Sequence, residues 1–304
     1  ADVLEGIAQL VSTRLTGVVR ELVQTIQREV LASVFGLNKK KSQEFQKHPH
    51  IKRVYQFGFG ALEKYGSYFL APTLRQIIDK FPRLHDKALT PTLHILVGAL
   101  NGVLGDFLIE QHNPLALPMT LYDHYGSVQK GELAGLILFF SHGLCMKHLS
   151  WSNRHFGGIG EKLLAQRDNN SMLYLNYNTG RRISANGRSL ANTLEDLIER
   201  NPRITSIDLI GHSMGGLVSR SALFYGKQNM QQWIHMVNNL VCVGSPHHGA
   251  VLERFGYQLQ DKIGRFPLVK IVGHVVNIRS NGILDLRYGS VRDDDWEHND
   301  IRIG

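Results

Sequence analysis

The segment Gly211-His212-Ser213-Met214-Gly215 places a serine between two glycines, just after the apolar run ITSIDLI (204–210) and just before the amphipathic stretch GGLVSRSALFYG (215–226). A serine hydroxyl set in a tight strand-to-helix turn can attack a carbonyl carbon. The turn needs Gly211 and Gly215 because a Cβ at either position would collide across it. The start of the following helix supplies free N–H groups and a positive dipole end, both of which favour a developing oxyanion. A second cluster, Ser141-His142-Gly143-Leu144-Cys145, follows the apolar run LAGLILFF (133–140) directly. A third, GSPHHGA (244–250), closes the run NNLVCVGS (238–245) and pairs His247 with His248. A Gly-x-Ser-x-Gly match arises easily by chance in a chain with 30 glycines, so the surrounding elements have to decide.

Those elements agree with the chemistry. LAGLILFF, MLYLNYN (172–178), ITSIDLI and NNLVCVGS have the length and composition of buried strands, while RSLANTLEDLIERN (188–201) and GGLVSRSALFYG have helical spacing. Strand and helix in alternation imply right-handed crossovers and a parallel sheet covered on both faces, with chemistry at the carboxyl ends of its strands. In that setting the loop after the strand at 133–140 offers one oxyanion donor and the residue after the nucleophile offers the other, which nominates the N–H groups of Leu144 and Met214. His212, His142, Gly143, His247 and His248 are then expected to line or support the site. His247 and His248 are not expected to be the base, which in this chain order follows the acid.

The first 125 residues have a different grammar. Leu4, Ile7, Val11, Leu15, Val18, Leu22, Ile26 and Val30 recur every three or four positions, and further helical patterns cover 51–82 and 91–111, punctuated by prolines. An all-helical N-terminal extension at 1–125 is expected, followed by an α/β core at 126–304 with a helical cap or insertion near 251–280. The first amphipathic helix reads foremost as packed on the rest of the protein, and its sharper reading is peripheral contact with a membrane.

Composition bounds the rest. With 304 residues, 43% hydrophobic and 20% charged, the chain can bury a sizeable core. Its apolar stretches are too short or too interrupted for a clear membrane span, and the N-terminus lacks the pattern of a signal peptide. Cys145 and Cys242 are the only cysteines and lie in or beside strand-like runs, so a disulfide framework is not expected and a reducing, cytoplasmic setting is preferred. The formal charge of +8 is dispersed apart from Lys39-Lys40-Lys41 and Arg181-Arg182, and no nucleic-acid-binding motif accompanies it, so no nucleic acid is expected as a partner.

Taken together, SHGLC, NYNTGRRISANGRSLANTLEDL, LIGHSMGGLVSRSA and GSPHHGA resemble the lipase and esterase branch of the α/β-hydrolase superfamily. The likeness is to bacterial triacylglycerol-lipase-like proteins and to the hydrolase domain of GPI inositol-deacylase-like proteins. It covers about residues 131–250, and NGILDLRYGSVRDDDW (281–296) resembles a segment of the same bacterial hydrolases. The resemblance implies an α/β-hydrolase sheet with helices on both faces. It also implies cleavage of acyl or lipid carboxylic esters by a serine, an acid and a histidine, with no cofactor and no metal.

The acid and the histidine are where this chain departs from the pattern. Their expected order is Ser, then acid, then His. After residue 280 the chain offers Asp285, Asp293, Asp294, Asp295 and His298, with no pair of buried strands between any acid and that histidine. The expectation is therefore a surface acidic loop here, with the acid, the base and the last strands beyond Gly304 in a longer natural chain. Asp285 with His298 is the fallback pair. A serine without an oriented base is a poor nucleophile, so an isolated 1–304 chain is expected to be nearly inactive. Rival readings are a non-catalytic lipid- or partner-binding protein on the same scaffold, and an acyltransferase using the same serine. Oligomeric state is not legible.

Overall fold

A computed structural model of the chain describes residues 6, 9–10, 91–151, 171–250 and 280–297. The first element is α1 (Pro91–Glu110). A short strand β1 (Thr120–Tyr122) and the long strand β2 (Ala134–Ser141) follow. Next come a 3-10 turn (His148–Ser150), β3 (Ser171–Asn176), α2 (Ile183–Arg200) and β4 (Arg203–His212). The remaining elements are α3 (Met214–Gln228), a 3-10 turn (Gln232–Met236), β5 (Val237–Val243), α4 (Asn281–Tyr288) and α5 (Asp294–Glu297).

The five strands form one sheet in the order β1-β3-β2-β4-β5, parallel throughout except for antiparallel β1 at the edge. This is the expected α/β-hydrolase-type architecture. The four long strands coincide with the four apolar runs. In β2, β3 and β4 the side chains alternate between two cores as strand geometry requires, whereas β5 packs Val237 and Leu240 on the larger core and leaves Val241 and Val243 exposed. Ile137, Phe139, Leu173, Leu175, Ile207 and Leu209 point into the larger core, while Leu138, Phe140, Met172 and Tyr174 join Trp151 on the opposite face. Burial on both faces explains why LAGLILFF reads as a continuous apolar run instead of an alternating one.

Residues 1–125 are not all helical. β1 lies inside that stretch and pairs Thr120–Tyr122 with Asn176–Tyr174. Three residues are too few to show a period of two, and the strand owes its conformation to β3. Most of the first amphipathic helix lies outside the described residues. Its Gly6, Gln9 and Leu10 are described as helical, Leu10 is buried in the larger core, and Asn113 Nδ2 donates to the Gly6 carbonyl at 3.0 Å. The expected cap at 251–280 lies outside the described residues except for Ser280. α1 contributes Leu96, Leu100 and Val103 to the core of the sheet. Among the described residues no helix is long and apolar enough to cross a membrane.

The acidic segment after residue 280 is a correction to the expected surface loop, because Asp285 is buried within α4. Ser280 caps α4 by accepting from Ile283 N–H, and Gly289 ends it in the left-handed conformation (φ 71°). The Ser280 hydroxyl also donates to the Gly102 carbonyl of α1 at 2.7 Å. Asp285 accepts from Arg182 (2.5 Å) and from Ile183 N–H (2.7 Å). The first free N–H of α2 is thus capped by a carboxylate 102 residues away. That is why α2 begins at Ile183, five residues before the start that local spacing suggests.

Candidate functional site

Ser213 stands at the carboxyl end of β4, where His212 is the last strand residue and Met214 the first helical one. Its backbone has φ 53° and ψ −121°, a combination costly for any residue with a Cβ, worth about 1–3 kcal/mol of strain. The turn is held from below, with Ser213 N–H donating to Val243 O at the end of β5 at 2.8 Å and Gly216 N–H donating back to Ser213 O at 3.2 Å. A Cβ on Gly215 would run into the Ser141 and His142 carbonyls, and one on Gly211 into the backbone of Gly215 and Gly216. Both glycines are therefore required by close approach, as the sequence suggested.

The loop after β2 reaches the serine. A Cβ on Gly143 would stand 3.1 Å from Ser213 Cβ and 3.1 Å from His212 Nδ1, so the SHGLC loop and the serine turn are in contact. The Gly143 carbonyl accepts from His142 Nδ1 (3.0 Å) and from Met146 N–H (3.2 Å). Because the peptide is trans, the N–H of Leu144 then points away from those donors. Among the described residues neither Leu144 N–H nor Met214 N–H donates a hydrogen bond, and both residues are buried. Two N–H groups without a partner among the described residues, one on the residue after Ser213 and one in the loop that touches it, are what an oxyanion site would require. Gly143→Ala is expected to lower kcat for ester hydrolysis by about 10²-fold with little change in melting temperature, because it pushes the loop off the serine. Unchanged kinetics in that variant would show that the contact does not position the loop.

His142 is buried, stacks on Tyr177 (ring centroids 4.4 Å apart, 22° between planes), and has its backbone carbonyl fixed by the Tyr177 hydroxyl at 2.7 Å. With Nδ1 donating to Gly143, Nε2 is the bare nitrogen of a neutral ring. Burial lowers the His142 pKa to about 3. Between that value and the ordinary 6.5, the unfolded chain binds a proton that the folded chain refuses, so stability present above pH 6.5 is lost as the pH falls. His142→Phe keeps the stack and removes the titration. Its melting temperature is expected to drop less than that of the wild type between pH 7 and pH 4.5; an equal drop would locate the acid sensitivity elsewhere.

Tyr177 was not expected from the sequence, although a signal existed. It follows β3, whose carboxyl end lies beside that of β2 in a parallel pair, and its loop is bound to support the loop after β2. The same loop supplies the Thr179 hydroxyl that accepts from Cys145 N–H at 3.2 Å. Cys145 itself is buried with its thiol pushed up to about 12, which leaves it unreactive. Cys145 and Cys242 are both free.

The remaining residues with expected roles separate. His212 lies edge-on to Trp151 with ring centroids 6.4 Å apart. His247 accepts from Arg220 at Nδ1 (3.3 Å) and lines a cavity of about 930 Å³ with Arg220, Phe224, Tyr288, Ser290 and Arg292, a cavity that does not include Ser213. His248 is exposed on the same loop. Asp285 is engaged at both oxygens by Arg182 and Ile183, and burial pushes its carboxyl up to about 6 against the pull of Arg182. His298 lies outside the described residues. Among the described residues no side chain hydrogen-bonds the buried Ser213 hydroxyl, and no group of His, Cys, Asp and Glu is arranged to hold a metal ion.

Residues 132–303 match the model of the PGAP1-like alpha/beta domain. Among solved structures, the chain is similar to Bacillus licheniformis lipase BlEst2 in its mature form, at 20% identity over 61% of this chain and 67% of that one, with a TM-score of 0.37. It is similar to the propeptide form of the same lipase at 18% identity over 58% of this chain and 33% of that one, again with a TM-score of 0.37. No curated protein matches the chain.

Proposed function

The chain belongs to the family of the PGAP1-like alpha/beta domain, and from that premise we propose that it is a serine hydrolase of carboxylic esters, acting on acyl or lipid substrates through Ser213. The observation that carries the proposal is the conjunction at the carboxyl edge of the sheet. A buried serine in a strained turn is in contact with a loop whose Leu144 N–H, like that of Met214, has no partner among the described residues. In the proposed reaction Ser213 Oγ bonds to the ester carbonyl carbon while its proton passes to a base. The carbonyl electron pair moves onto oxygen and is held by the two N–H groups. Collapse of that oxyanion expels the alcohol, which takes up the proton, and water then cleaves the acyl-serine to a carboxylic acid. The family resemblance implies that the base is a histidine oriented by an acid.

Covalent labelling tests the assignment directly. A fluorophosphonate probe is expected to label the full-length wild-type protein in proportion to its esterase activity and to leave its Ser213→Ala variant unlabelled. Labelling that persists in Ser213→Ala would remove Ser213 from the mechanism.

A further inference from the structure

Beside the serine turn, at the carboxyl ends of β2 and β3, the structure gathers three basic side chains, with no acid beside them among the described residues. Lys147 Nζ donates to His94 Nδ1 at 3.2 Å. His148 stacks on Tyr122 at 3.6 Å, meets the His94 ring edge-on at 6.4 Å, and donates from Nδ1 to Asn176 Oδ1 at 3.4 Å. Lys147 is only 8% exposed and His148 only 4%. We propose that Lys147, His94 and His148 form a binding site for a phosphoryl-type oxyanion, next to but separate from the ester site.

Burying an ammonium without a counter-ion is unfavourable, and buried lysines are normally paired. Here the hydrogen-bond partner is a neutral imidazole. Burial lowers Lys147 to about 8 and both imidazoles to about 4, and among the described residues the charged groups acting on the three are one another, with no carboxylate among them. An arrangement this unfavourable when empty is one that an incoming anion would relieve. Lys147 supplies a point charge of the kind that suits phosphate. With Nδ1 of His94 accepting, its Nε2 carries the proton and is a second donor. His148 gains a donor at Nε2 when an anion raises its affinity for a proton. The position fits a ligand, because open parallel sheets bind ligands at the carboxyl ends of their strands. The cluster also lies within electrostatic reach of His142, which in turn feels His212 beside Ser213.

The site makes an unusual pH prediction. An anion raises the Lys147 pKa, so binding takes up protons and weakens as the pH climbs through about 8, even though phosphate itself carries more charge there. Exposed lysines, whose ordinary pKa lies near 10.4, would not show that loss.

The test titrates inorganic phosphate into the full chain by calorimetry at pH 7 and pH 9. Lys147→Met, His94→Gln and the exposed control Lys227→Met are measured beside the wild type. Binding is expected to weaken at least tenfold in Lys147→Met and severalfold in His94→Gln, to be unchanged in Lys227→Met, and to weaken at pH 9. Lys147→Met is expected to melt no lower than the wild type, because it removes a buried charge that has no carboxylate partner among the described residues. Should it fail to fold, His94→Gln carries the comparison. Wild-type affinity in both variants, or no phosphate binding by the wild type, would overturn the proposal. Co-sedimentation with phosphatidic acid and phosphatidylcholine vesicles, in a Ser213→Ala background, identifies the source of the anion. Lys147-dependent binding to phosphatidic acid alone assigns a lipid headgroup, whereas phosphate binding without that dependence assigns the free ion. None of these readouts requires ester hydrolysis, so the proposal stands or falls apart from the role of Ser213.

Discussion

Ser213→Gly is expected to abolish ester hydrolysis while leaving the protein more stable than Ser213→Ala. Where the base and acid of the triad are present, removal of the serine nucleophile lowers kcat by about 10⁶-fold, leaving the residue of catalysis that binding and an oxyanion site supply; in the isolated 1–304 chain, already expected to be nearly inactive, the fall is correspondingly smaller. Both variants lose this, and both lose the buried hydroxyl that has no partner among the described residues. They differ in the Cβ. At φ 53° and ψ −121° alanine keeps the clash and glycine removes it. Glycine in a regular element is usually about 0.5–1 kcal/mol worse than alanine, so a reversal of that order, to glycine better by about 1 kcal/mol, measures the strain held at the turn. Chemical denaturation of the two variants reads the difference. Alanine equal to or more stable than glycine would mean that the turn is not strained in solution.

Asp285→Ala is expected to cost about 2–4 kcal/mol of stability and to leave kcat nearly unchanged at temperatures where the variant is folded. The range is set by breaking a buried charge pair, reduced because Arg182 is 17% exposed. The loss has three parts. Arg182 is left without its carboxylate, the first N–H of α2 loses its cap, and α4 loses its tie to α2. A double-mutant cycle with Arg182→Ala separates the pair from the cap. Arg182 also lies 4.2 Å over the Trp296 ring, so its own removal carries a stacking loss that the cycle subtracts. The kinetic readout discriminates sharply, because removal of a triad acid costs about 10⁴ in kcat. A loss of that size in a folded Asp285→Ala protein would make the residue catalytic.

The reach and limit of the sequence are visible in these two residues. Ser213 was legible because its turn is local: Gly211, Gly215, the preceding run and the following helix all lie within a few residues, and steric collision restricts each of them. The SHGLC loop was legible because a parallel sheet brings the ends of β2 and β4 to one edge. Asp285 was misread as part of an acidic surface loop. Its burial depends on Arg182 and Ile183, more than a hundred residues earlier, and nothing local announces such a partner. Ser280 and Gly289, the cap and the stop of α4, were local signals of a helix that the run of acidic residues obscured. The Lys147 cluster assembles residues from α1, β1, β3 and a 3-10 turn, and no spacing within one segment could reveal it.

The anchoring of α4 also bears on the order in which the chain assembles. Ser280 closes onto Gly102 across 178 residues, Asn281 N–H onto Asp106 across 175, and Asp285 onto Ile183 across 102. Each closure restricts a long stretch of chain before any contact energy is returned, so α4 is expected to dock after the β2–β4 sheet has formed, which low φ-values for substitutions in α4 would read. Contacts made after the transition state do not set the rate of folding. They set the rate at which the native state opens. Weakening the α4 anchor, as in Asp285→Ala, is therefore expected to speed unfolding while leaving the folding rate nearly unchanged, and a slowed folding rate would place α4 in the folding nucleus.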